Sequence, residues 1–492
     1  MRSPLASLFW FAVLLVGSKI LLINGQKSQK FPELNPKRRF ELTNRRRLKD
    51  FIQNSRALLA EGRTTYSGRP YKLYCDWGEV IVIPPEMLEE LKNDPRLDRN
   101  APTQDDFRSY LPGFQAFQVN PKLPLILTKY LTRSLAKHVI TMSNEAGSII
   151  QNWHEVDPHE TITSIVTKIT SRILLSDGFS SSDAWEKAVE DYGKQAFQTT
   201  DVVRQYPRWL RPLVHFFIPG CWALRRKLKV AREVFQPYVD RRAAAKAAAR
   251  AKNETASFDD SLEWFEREYK TGYDPAVSQI TLTLGAIHTT TDLLQAAMLD
   301  IALHPEIFSL LRKEIVTVLG SNGLNKASLN NLKLMDSVLK ESLRMNPVFL
   351  GIFRRKALYD IILKDGTTIV KGTRIVVDCT HMWSESYWEN ADTYDAFRFL
   401  RMRETPGQDH QAYLVNTSPN HLGFGHGQHA CPGRFFAAAE VKVALCHLLS
   451  KYDWEVPKGT ILQSHIVGMS IHPDPSIRLL IRRRENDVYA RL

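Results

Sequence analysis

The sequence lacks the cysteine patterns that hold small or metal-stabilised proteins together. Its 492 residues include five cysteines, an odd number with no Cys-x-x-Cys pair, at Cys75, Cys221, Cys379, Cys431 and Cys446. Neither a disulfide framework nor a zinc ribbon is indicated, and a reducing compartment fits best. Glycine and proline, with 24 and 25 residues, are too few for a collagen-like chain. No internal repeat is present, and strand signals are few.

Charge and hydrophobic content are those of a large folded protein. Lys and Arg total 66 against 53 Asp and Glu, a formal net charge of +13, and 43% of the residues are hydrophobic. Such a chain can bury a large core, which excludes a disordered chain. Length alone allows up to about three domains. We interpret the positive charge as suited to docking an acidic protein partner, and we expect no nucleic-acid partner.

The longest apolar run lies at the N-terminus. Residues 5–23 contain one charge, Lys19, and nineteen helical residues span about 28 Å, close to the hydrocarbon thickness of a bilayer. Nine Lys and Arg but only two acidic residues follow between positions 27 and 49. This asymmetry predicts a membrane anchor with everything after it in the cytosol. A cleaved secretory signal ending near Gly17 is the alternative.

Three segments are therefore expected along the chain. Residues 1–24 form the membrane anchor, residues 25–50 form a basic linker that contains proline, and residues 51–492 form one large domain. The prolines of the linker favour extended geometry in the residues before them.

Most of the large domain has helical periodicity. Helices are expected over residues 45–61, 125–152, 161–175, 183–199, 221–252, 275–303, 304–319 and 336–345. Alternation of apolar and polar residues about Asp76-Trp77-Gly78 predicts a hairpin over residues 70–84. Further strands are expected at 352–363 and 368–377, on either side of an Asp-Gly turn. The predicted fold class is mainly α with small β sheets.

Two segments between helices are not typical of a core. The alanine-rich basic run 241–252 is interpreted as a solvated helix, with a charged docking face as the alternative. Residues 206–220 mix Pro, Trp, Phe and Arg. We interpret them as an interhelical loop that dips into the bilayer interface, where tryptophan and arginine are both stable.

A glycine-rich loop carries the clearest chemical signal. Residues 424–436 read FGHGQHACPGRFF, and Pro432 is the residue type that begins a helix. Cys431 would then lie at a helix N-terminus, where the dipole and free amides lower the pKa of a thiol and favour the metal-binding thiolate. The alternatives are a buried apolar thiol and a zinc site of His426, His429 and Cys431, which has no fourth ligand nearby.

The pattern Phe-x-x-Gly-x-x-x-Cys-x-Gly in this loop resembles the haem-binding segment of the cytochrome P450 family. The resemblance implies that family's fold and haem b, iron protoporphyrin IX, with Cys431 as the thiolate ligand of the iron. His429 stands where many members carry an arginine that binds a haem propionate. The residues implied to bind the cofactor are Phe424, Gly425, Gly427, His429, Cys431 and Gly433.

Two further segments match the same family in the same order along the chain. Glu341 and Arg344 match Glu-x-x-Arg, and Arg398 follows in a segment that resembles Pro-x-Arg-Phe. The resemblance implies a buried network of Glu341, Arg344 and Arg398 behind the haem loop. Ala396 replaces the usual proline of the second segment but leaves its arginine in place.

Residues 285–290 read GAIHTT and are similar to the family's oxygen-binding segment. Thr289 aligns with the oxygen-activating threonine, His288 replaces the usual acid, and Ala286 replaces a glycine. Threonines in mid-helix bond back to preceding carbonyls, so we interpret the run as a functional distortion rather than as tolerated core. Thr289 and His288 are predicted to be catalytic, with His288 as a proton source because imidazole titrates near neutral pH. The alternative is that His288 points away into a satisfied hydrogen bond.

The resemblance extends to fungal microsomal members that serve secondary metabolism. It implies a haem-thiolate monooxygenase of the endoplasmic reticulum membrane, single-pass with a cytosolic catalytic domain, that oxidises a lipophilic terpenoid, indole-terpenoid, polyketide or alkaloid-like intermediate. Its partners would be O₂ and NADPH–cytochrome P450 reductase, with cytochrome b5 as an additional donor. The substrate pocket is expected from residues 101–119, 285–290, 348–352 and 464–471. An isomerase or dehydratase without a reductase, or a non-catalytic haem-binding sensor, is the alternative.

Overall fold

The computed structural model describes residues 31–150, 158–175, 179, 182–320, 323–460, 465–472, 474 and 477–485. The predicted anchor, residues 25–30 of the predicted linker and residue 464 of the predicted pocket lie outside these ranges. Within them, no single helix is long and apolar enough to cross a membrane. One pair of consecutive helices, Pro275–Leu303 and Glu306–Leu319, passes that test only when joined, and the two are bent by 118° at the break between them.

Helices make up most of the described chain. The first nine are α1 Arg45–Tyr66, α2 Leu88–Leu91, α3 Asn100–Asp106, α4 Leu123–Ile126, α5 Leu135–Ile149, α6 Pro158–Leu175, α7 Asp183–Arg204, α8 Arg211–Val214 and α9 Pro219–Ala251. The remaining helices are α10 Ser261–Tyr269, α11 Pro275–Leu303, α12 Glu306–Leu319, α13 Lys326–Asn331, α14 Lys333–Met345, α15 Arg398–Glu404, α16 Asp409–Ala412 and α17 Arg434–Lys451.

The strands are short and form small sheets. They are β1 Tyr71–Cys75, β2 Gly78–Ile83, β3 Leu97–Asp98, β4 Gly351–Ala357, β5 Ile361–Ile362, β6 Thr368–Ile369, β7 Arg374–Asp378, β8 Tyr452–Glu455, β9 His465–Val467, β10 Ser470–His472 and β11 Leu480–Arg483. A five-stranded sheet has the order β1-β2-β7-β4-β3, with β2 and β7 parallel and its other neighbours antiparallel. The pairs β5-β6, β8-β11 and β9-β10 are each antiparallel.

The core forms around α11, which packs against α6, α9, α14 and α17. This helix begins at an N-cap, because the Asp274 side chain accepts from the Val277 N–H at 3.0 Å and Pro275 takes the first helical position. Its apolar residues join those of α6, α14 and α17 in one large buried cluster. The fold class predicted from sequence, mainly α with small sheets, is confirmed.

Several predicted elements have the expected limits. The hairpin over residues 70–84 is confirmed as β1 and β2, and the helix over residues 275–303 is confirmed as α11. The long helix predicted over residues 125–152 is wrong, because α4 and α5 are separated by a widened π-type turn, Leu127–Thr132. Leu127 and Leu131 are both buried there, so the apolar periodicity continues through a turn that is not α-helical.

The two unusual interhelical segments are both largely exposed. The basic end of α9 is solvated as predicted, except that Arg242 is buried and paired with Asp260 and Glu263. The segment 206–220 joins α7 to α9, contains the short helix α8, and leaves Trp209 and Phe217 76% and 84% exposed. The predicted contact of this segment with a bilayer interface stays a prediction.

Candidate active site

Cys431 lies at the end of a tight loop rather than at the first turn of a helix. The following helix, α17, begins at Arg434, so the prediction that Pro432 begins it is wrong by two residues. The Cys431 N–H donates to the Phe424 carbonyl at 2.8 Å, which closes the loop. Gly425 inside it has a φ of +72°, a left-handed conformation that glycine adopts without strain.

The loop is fixed against the segment that follows α2. The Gln428 N–H donates to Oδ1 of Asn93 at 2.8 Å, and Nε2 of His426 lies 2.7 Å from Oε1 of Glu89. A Cβ at Gly427 would lie 2.9 Å from Cβ of Lys92, and its φ is +75°. A side chain at Gly427 would therefore force the loop away from its support, which explains the glycine at this position of the motif.

The groups around the Cys431 sulfur change the pKa of its thiol in opposite directions. Burial raises the pKa of the thiol, whereas hydrogen bonds from the N–H groups of Gly433 and Arg434 and the charge of the Arg434 guanidinium lower it. Burial is the largest of these causes, so the predicted lowering of the pKa is wrong in net direction for the protein alone. The same N–H groups and guanidinium stabilise a thiolate once a cation binds the sulfur.

Two arginines lie beside this loop without a carboxylate partner. Arg99 Nη1 lies 3.4 Å from Nδ1 of His429, and Arg355 is 7% exposed. Burial is the main cause that lowers the pKa of both arginines. The pKa of Arg355 is lowered to about 9. Within the described part of the chain, no acidic side chain forms an ion pair with Arg99 or Arg355. Arg355 is buried and Arg99 partly buried, and guanidiniums without carboxylate partners in such positions fit an anionic ligand group.

His429 belongs to the same cationic cluster. Burial, Arg355 and Arg99 lower the pKa of His429 to about 4, so the imidazole is neutral near pH 7. A guanidinium only donates hydrogen bonds, so Nδ1 of His429 faces a donor in Arg99. Nε2 lies 3.2 Å from the side-chain amide nitrogen of Gln428, so both ring nitrogens face donor groups. Sequence reasoning found His429 but missed Arg99 and Arg355.

The predicted oxygen-binding segment lies in the middle of α11. His288 and Thr289 are exposed, although their neighbours Ile287 and Thr290 are 7% and 2% exposed. A Cβ at Gly285 would meet no atom within 4 Å, so this face of the helix borders open space. The Thr289 hydroxyl donates to the Gly285 carbonyl at 3.1 Å. The helix is continuous from Pro275 to Leu303, so the predicted distortion is not present.

His288 is next to several titratable groups. Its side chain is accessible from the open space, yet the surrounding protein desolvates the ring and lowers its pKa. Asp292 one turn further along raises the pKa, and His159, His472 and Glu190 have smaller effects. Asp292 is itself held by Nδ1 of His472 at 3.3 Å. The net lowering keeps His288 neutral near pH 7, which is the state of an imidazole that can accept a proton as well as release one.

Glu341, Arg344 and Arg398 meet in the interior. Arg344 makes two bonds to the Glu341 carboxylate, at 2.8 and 2.7 Å, and Arg398 Nε reaches both carboxylate oxygens at 3.1 Å. Glu341 and Arg344 are fully buried. The remaining donors of Arg344 bind the carbonyls of Met382 and Ala391, and Arg398 binds that of Glu389. The network therefore fixes the segment 382–398 on α14.

The alanine that replaces the family's proline is held by other means. The Ser337 hydroxyl donates to the Ala396 carbonyl at 2.7 Å and accepts from the Leu400 N–H at 2.9 Å. Ala396 itself is buried. These two hydrogen bonds restrict the backbone where a proline ring would otherwise do so.

The zinc alternative has no support in this geometry. No group of three or more His, Cys, Asp or Glu side chains in the described ranges could hold a metal ion. His426 is turned to Glu89 and Thr417, and His429 is turned to Arg99, so the two do not converge on Cys431. A single, partly exposed cysteine ligand suits a metal that brings its other ligands with it, as iron in a porphyrin does.

Comparisons with known proteins agree with this site. The sequence model described as Cytochrome P450 matches residues 115–480 of the chain. The Cytochrome P450 monooxygenase eqxH of Fusarium heterosporum is 46% identical over 473 residues, which cover 94% of this chain and 92% of the relative. The monooxygenases hepE of Aspergillus oryzae and TRI1 of Fusarium sporotrichioides are 39% and 37% identical, covering 98% and 93% of this chain and 90% and 86% of theirs.

Proposed function

The chain belongs to the cytochrome P450 family and is a monooxygenase, and we propose that it oxidises a lipophilic intermediate of fungal secondary metabolism with O₂ and electrons from NADPH. The substrate classes that suit this proposal are terpenoids, indole-terpenoids, polyketides and alkaloid-like scaffolds. The observation that carries it is one partly exposed cysteine beside arginines without carboxylate partners. Its loop leads into α17, which packs against the threonine-bearing α11.

The residues present fit haem b. Cys431 would ligate the iron, and Arg99, Arg355 and His429 would bind the propionates, because one buried and one partly buried guanidinium lack anionic partners. When bound, haem supplies the iron chemistry that reduces O₂ and inserts one of its oxygen atoms into the substrate. The protein positions the reactants and controls protons and water around them.

Proton delivery is assigned to Thr289 and His288. The Thr289 hydroxyl donates its hydrogen bond to the Gly285 carbonyl. The lone pairs of Oγ1 are therefore free to accept a hydrogen bond from a water in the open space. Thr289 thus holds the water that supplies protons for O₂ reduction. His288, the preceding residue, is neutral near pH 7 and accepts protons from solvent before releasing them toward that water.

Replacing Thr289 by alanine is expected to divert electrons from product to hydrogen peroxide. A positioned proton donor contributes about 10² to 10⁴ in rate, so product formed per NADPH should fall by about tenfold or more. His288→Ala should give a smaller fall. The measurement is NADPH consumed, peroxide released and product formed by each variant with reductase present.

Thr291→Val is a matched control on the same helix, because the Thr291 hydroxyl is buried without a hydrogen-bond partner in the described structure. That variant should keep normal coupling. Unchanged coupling in Thr289→Ala would refute the role of Thr289, and a loss of bound haem in that variant would assign the threonine a structural role instead.

Electrons are proposed to come from NADPH–cytochrome P450 reductase, with cytochrome b5 as an additional donor. The net charge of +13 favours association with an acidic partner, and such steering weakens as salt screens it. NADPH consumption on addition of substrate and reductase tests the whole proposal. Product formed without reductase would indicate an isomerase or dehydratase, and haem binding without any turnover would indicate a sensor.

Membrane attachment at the endoplasmic reticulum is proposed to use two contacts, the apolar run 5–23 and the segment 206–220. The second has exposed apolar side chains at Trp209, Leu213 and Phe217. Aromatic residues and arginines are both stable at a bilayer interface. The catalytic domain would then lie on the cytosolic side, with its substrate reaching it from the lipid.

Deletion of residues 1–26 should release the protein from integral membrane fractions but leave weak binding to vesicles. Adding Trp209→Ser and Phe217→Ser should then reduce vesicle affinity by about tenfold or more, since burying one large apolar side chain contributes about 1.5 to 3 kcal/mol. Vesicle co-sedimentation measures this. Tyr359→Ser with Ile362→Ser, 62% and 69% exposed on another surface, is the control and should change nothing. Asn253 begins an Asn-Glu-Thr glycosylation sequon, and its glycosylation in the full chain would contradict the topology.

A further inference from the structure

Arg108 is a buried arginine in the loop that follows α3. It is 4% exposed, and its φ of +57° is a left-handed conformation that is strained for arginine. Its Nη1 donates to the carbonyls of Asp105 and Asp106. Its Nε and the hydroxyl of the adjacent Ser109 are buried without a hydrogen-bond partner among the described residues. Two neighbouring donors thus lack acceptors.

The carboxylates nearest to this arginine in the chain are already paired with others. Asp105 is held by Arg208 at 2.6 Å. Asp106 is held by Arg354 at 3.0 Å and by Arg374 at 2.7 Å. In the described ranges no acidic side chain forms an ion pair with the buried arginine. Its direct partners are two backbone carbonyls, and the charge of Asp106 acts on it without an ion-pair contact.

The surrounding charges make this arrangement costly. Burial lowers the pKa of Arg108 to about 10, and the positive charges of Arg211 and Arg204 act in the same direction. Losing the partner of a buried charge typically costs about 3 to 5 kcal/mol. An anion within reach of the Arg108 guanidinium would remove part of that cost.

A wall of aromatic rings leads from Arg108 toward the oxygen-binding helix. Phe107 stacks on Phe117 with ring centroids 5.2 Å apart, and Phe117 meets Phe197 edge to face at 5.8 Å. The neighbouring Ala116 carbonyl accepts from the Thr281 hydroxyl of α11 at 2.7 Å. Thr281 precedes the catalytic threonine by eight residues, which is about 12 Å along a helix.

From this arrangement we propose that the substrate is an apolar organic anion whose carboxylate or enolate binds Arg108 while its apolar body lies along Phe107 and Phe117 toward α11. This assignment rests on the proposed monooxygenase function and adds the chemical class of the substrate to it. It also fits entry from the membrane, because an amphiphile in a bilayer presents its anionic group at the interface, where the exposed segment 206–220 is proposed to lie.

The test compares dodecanoate with methyl dodecanoate as probes on the purified, haem-loaded full chain. These two differ only in the negative charge. Two readouts are used, the substrate-induced shift of the haem absorption band and the rise in melting temperature on probe binding. We expect dodecanoate to bind at least tenfold more tightly than the ester in low salt, and this preference to shrink as salt is raised.

Arg108→Gln should remove the preference for the anion without weakening ester binding, and Arg108→Lys should retain part of it. Arg241→Gln, an exposed arginine on the basic end of α9, is the matched control and should behave as the unchanged protein. Equal affinity for the two probes, no binding of either, or equal loss of both in Arg108→Gln would overturn the proposal. The comparison of dodecanoate with methyl dodecanoate uses only the unchanged protein. It therefore tests the proposal even if a variant folds poorly.

This outcome is separate from that of the proposed function. A thiolate spectrum and reductase-dependent NADPH oxidation establish the monooxygenase whether or not Arg108 selects an anion. Conversely, the melting-temperature shift with dodecanoate depends only on binding, so it reports on Arg108 even if turnover fails.

Discussion

The Cys431→Ser variant should lose the strongly red-shifted Soret band that the reduced, carbon monoxide-bound protein is expected to show. The band depends on a thiolate, and a serine hydroxyl does not ionise near neutral pH even with the N–H groups of Gly433 and Arg434 directed at it. Monooxygenase activity should fall below detection, because no other described cysteine is even partly exposed. Difference spectra and haem content by extraction measure the two effects.

Cys446→Ala is the control for this substitution. Cys446 lies on α17, the helix that follows the loop, and is fully buried in the main apolar cluster. Its removal should cost about 1 kcal/mol of stability, as a small core truncation does, and should leave the thiolate spectrum intact. An unchanged spectrum in Cys431→Ser, or a lost one in Cys446→Ala, would show that the iron ligand has been misassigned.

The sequence predicted elements whose signals are local. The limits of α11 follow from a long run of helical periodicity that begins after an N-cap aspartate and a proline. The first hairpin follows from alternating apolar and polar residues on either side of a turn that contains glycine. The break between α4 and α5 has no such signal, because Leu127 and Leu131 lie within it and are buried as they would be in one continuous helix. The start of α17 was predicted two residues too early, at Pro432 instead of Arg434. Proline is favoured at the first position of a helix, but its presence does not require a helix to begin there.

The candidate site was predictable only where residues lie close together in the chain. The loop 424–433 and the segment 285–290 are contiguous, and their resemblance to a family was sufficient to find them. Arg99 and Arg355 are separated by 256 positions and look like ordinary polar residues of short strands and turns. Their role depends on burial and on the lack of carboxylate partners, which only the folded arrangement reveals.

The same distinction applies to the interior network. Glu341 and Arg344 are three residues apart, a spacing found on many exposed helices, where such a pair contributes about 0 to 1 kcal/mol. In the structure both are fully buried, and Arg344 also holds the carbonyls of Met382 and Ala391. The pair therefore joins α14 to a segment almost forty residues further along the chain, and its removal should have effects far larger than those of a surface ion pair.

Glu341→Ala should prevent stable haem incorporation rather than slow turnover. The substitution leaves the Arg344 guanidinium fully buried, and that of Arg398 mostly buried, without their carboxylate, and it also removes the acceptor of the Asp395 N–H at 3.1 Å. Breaking one side of a buried ion network costs about 3 to 5 kcal/mol, a large share of the 5 to 15 kcal/mol that stabilises a domain. Soluble yield, haem content and the urea midpoint of unfolding measure the loss.

Lys333→Ala on the same helix is the matched control, because Lys333 is exposed at the start of α14 and its removal should cost less than about 0.5 kcal/mol. Arg398→Lys should have an intermediate effect, since lysine keeps the charge but cannot span both Glu341 oxygens and the Glu389 carbonyl with one ammonium group. A folded, haem-loaded Glu341→Ala protein of near-normal activity would show that segment 382–398 is held by its remaining contacts, such as the Ser337 bond to Ala396, and that the network is dispensable.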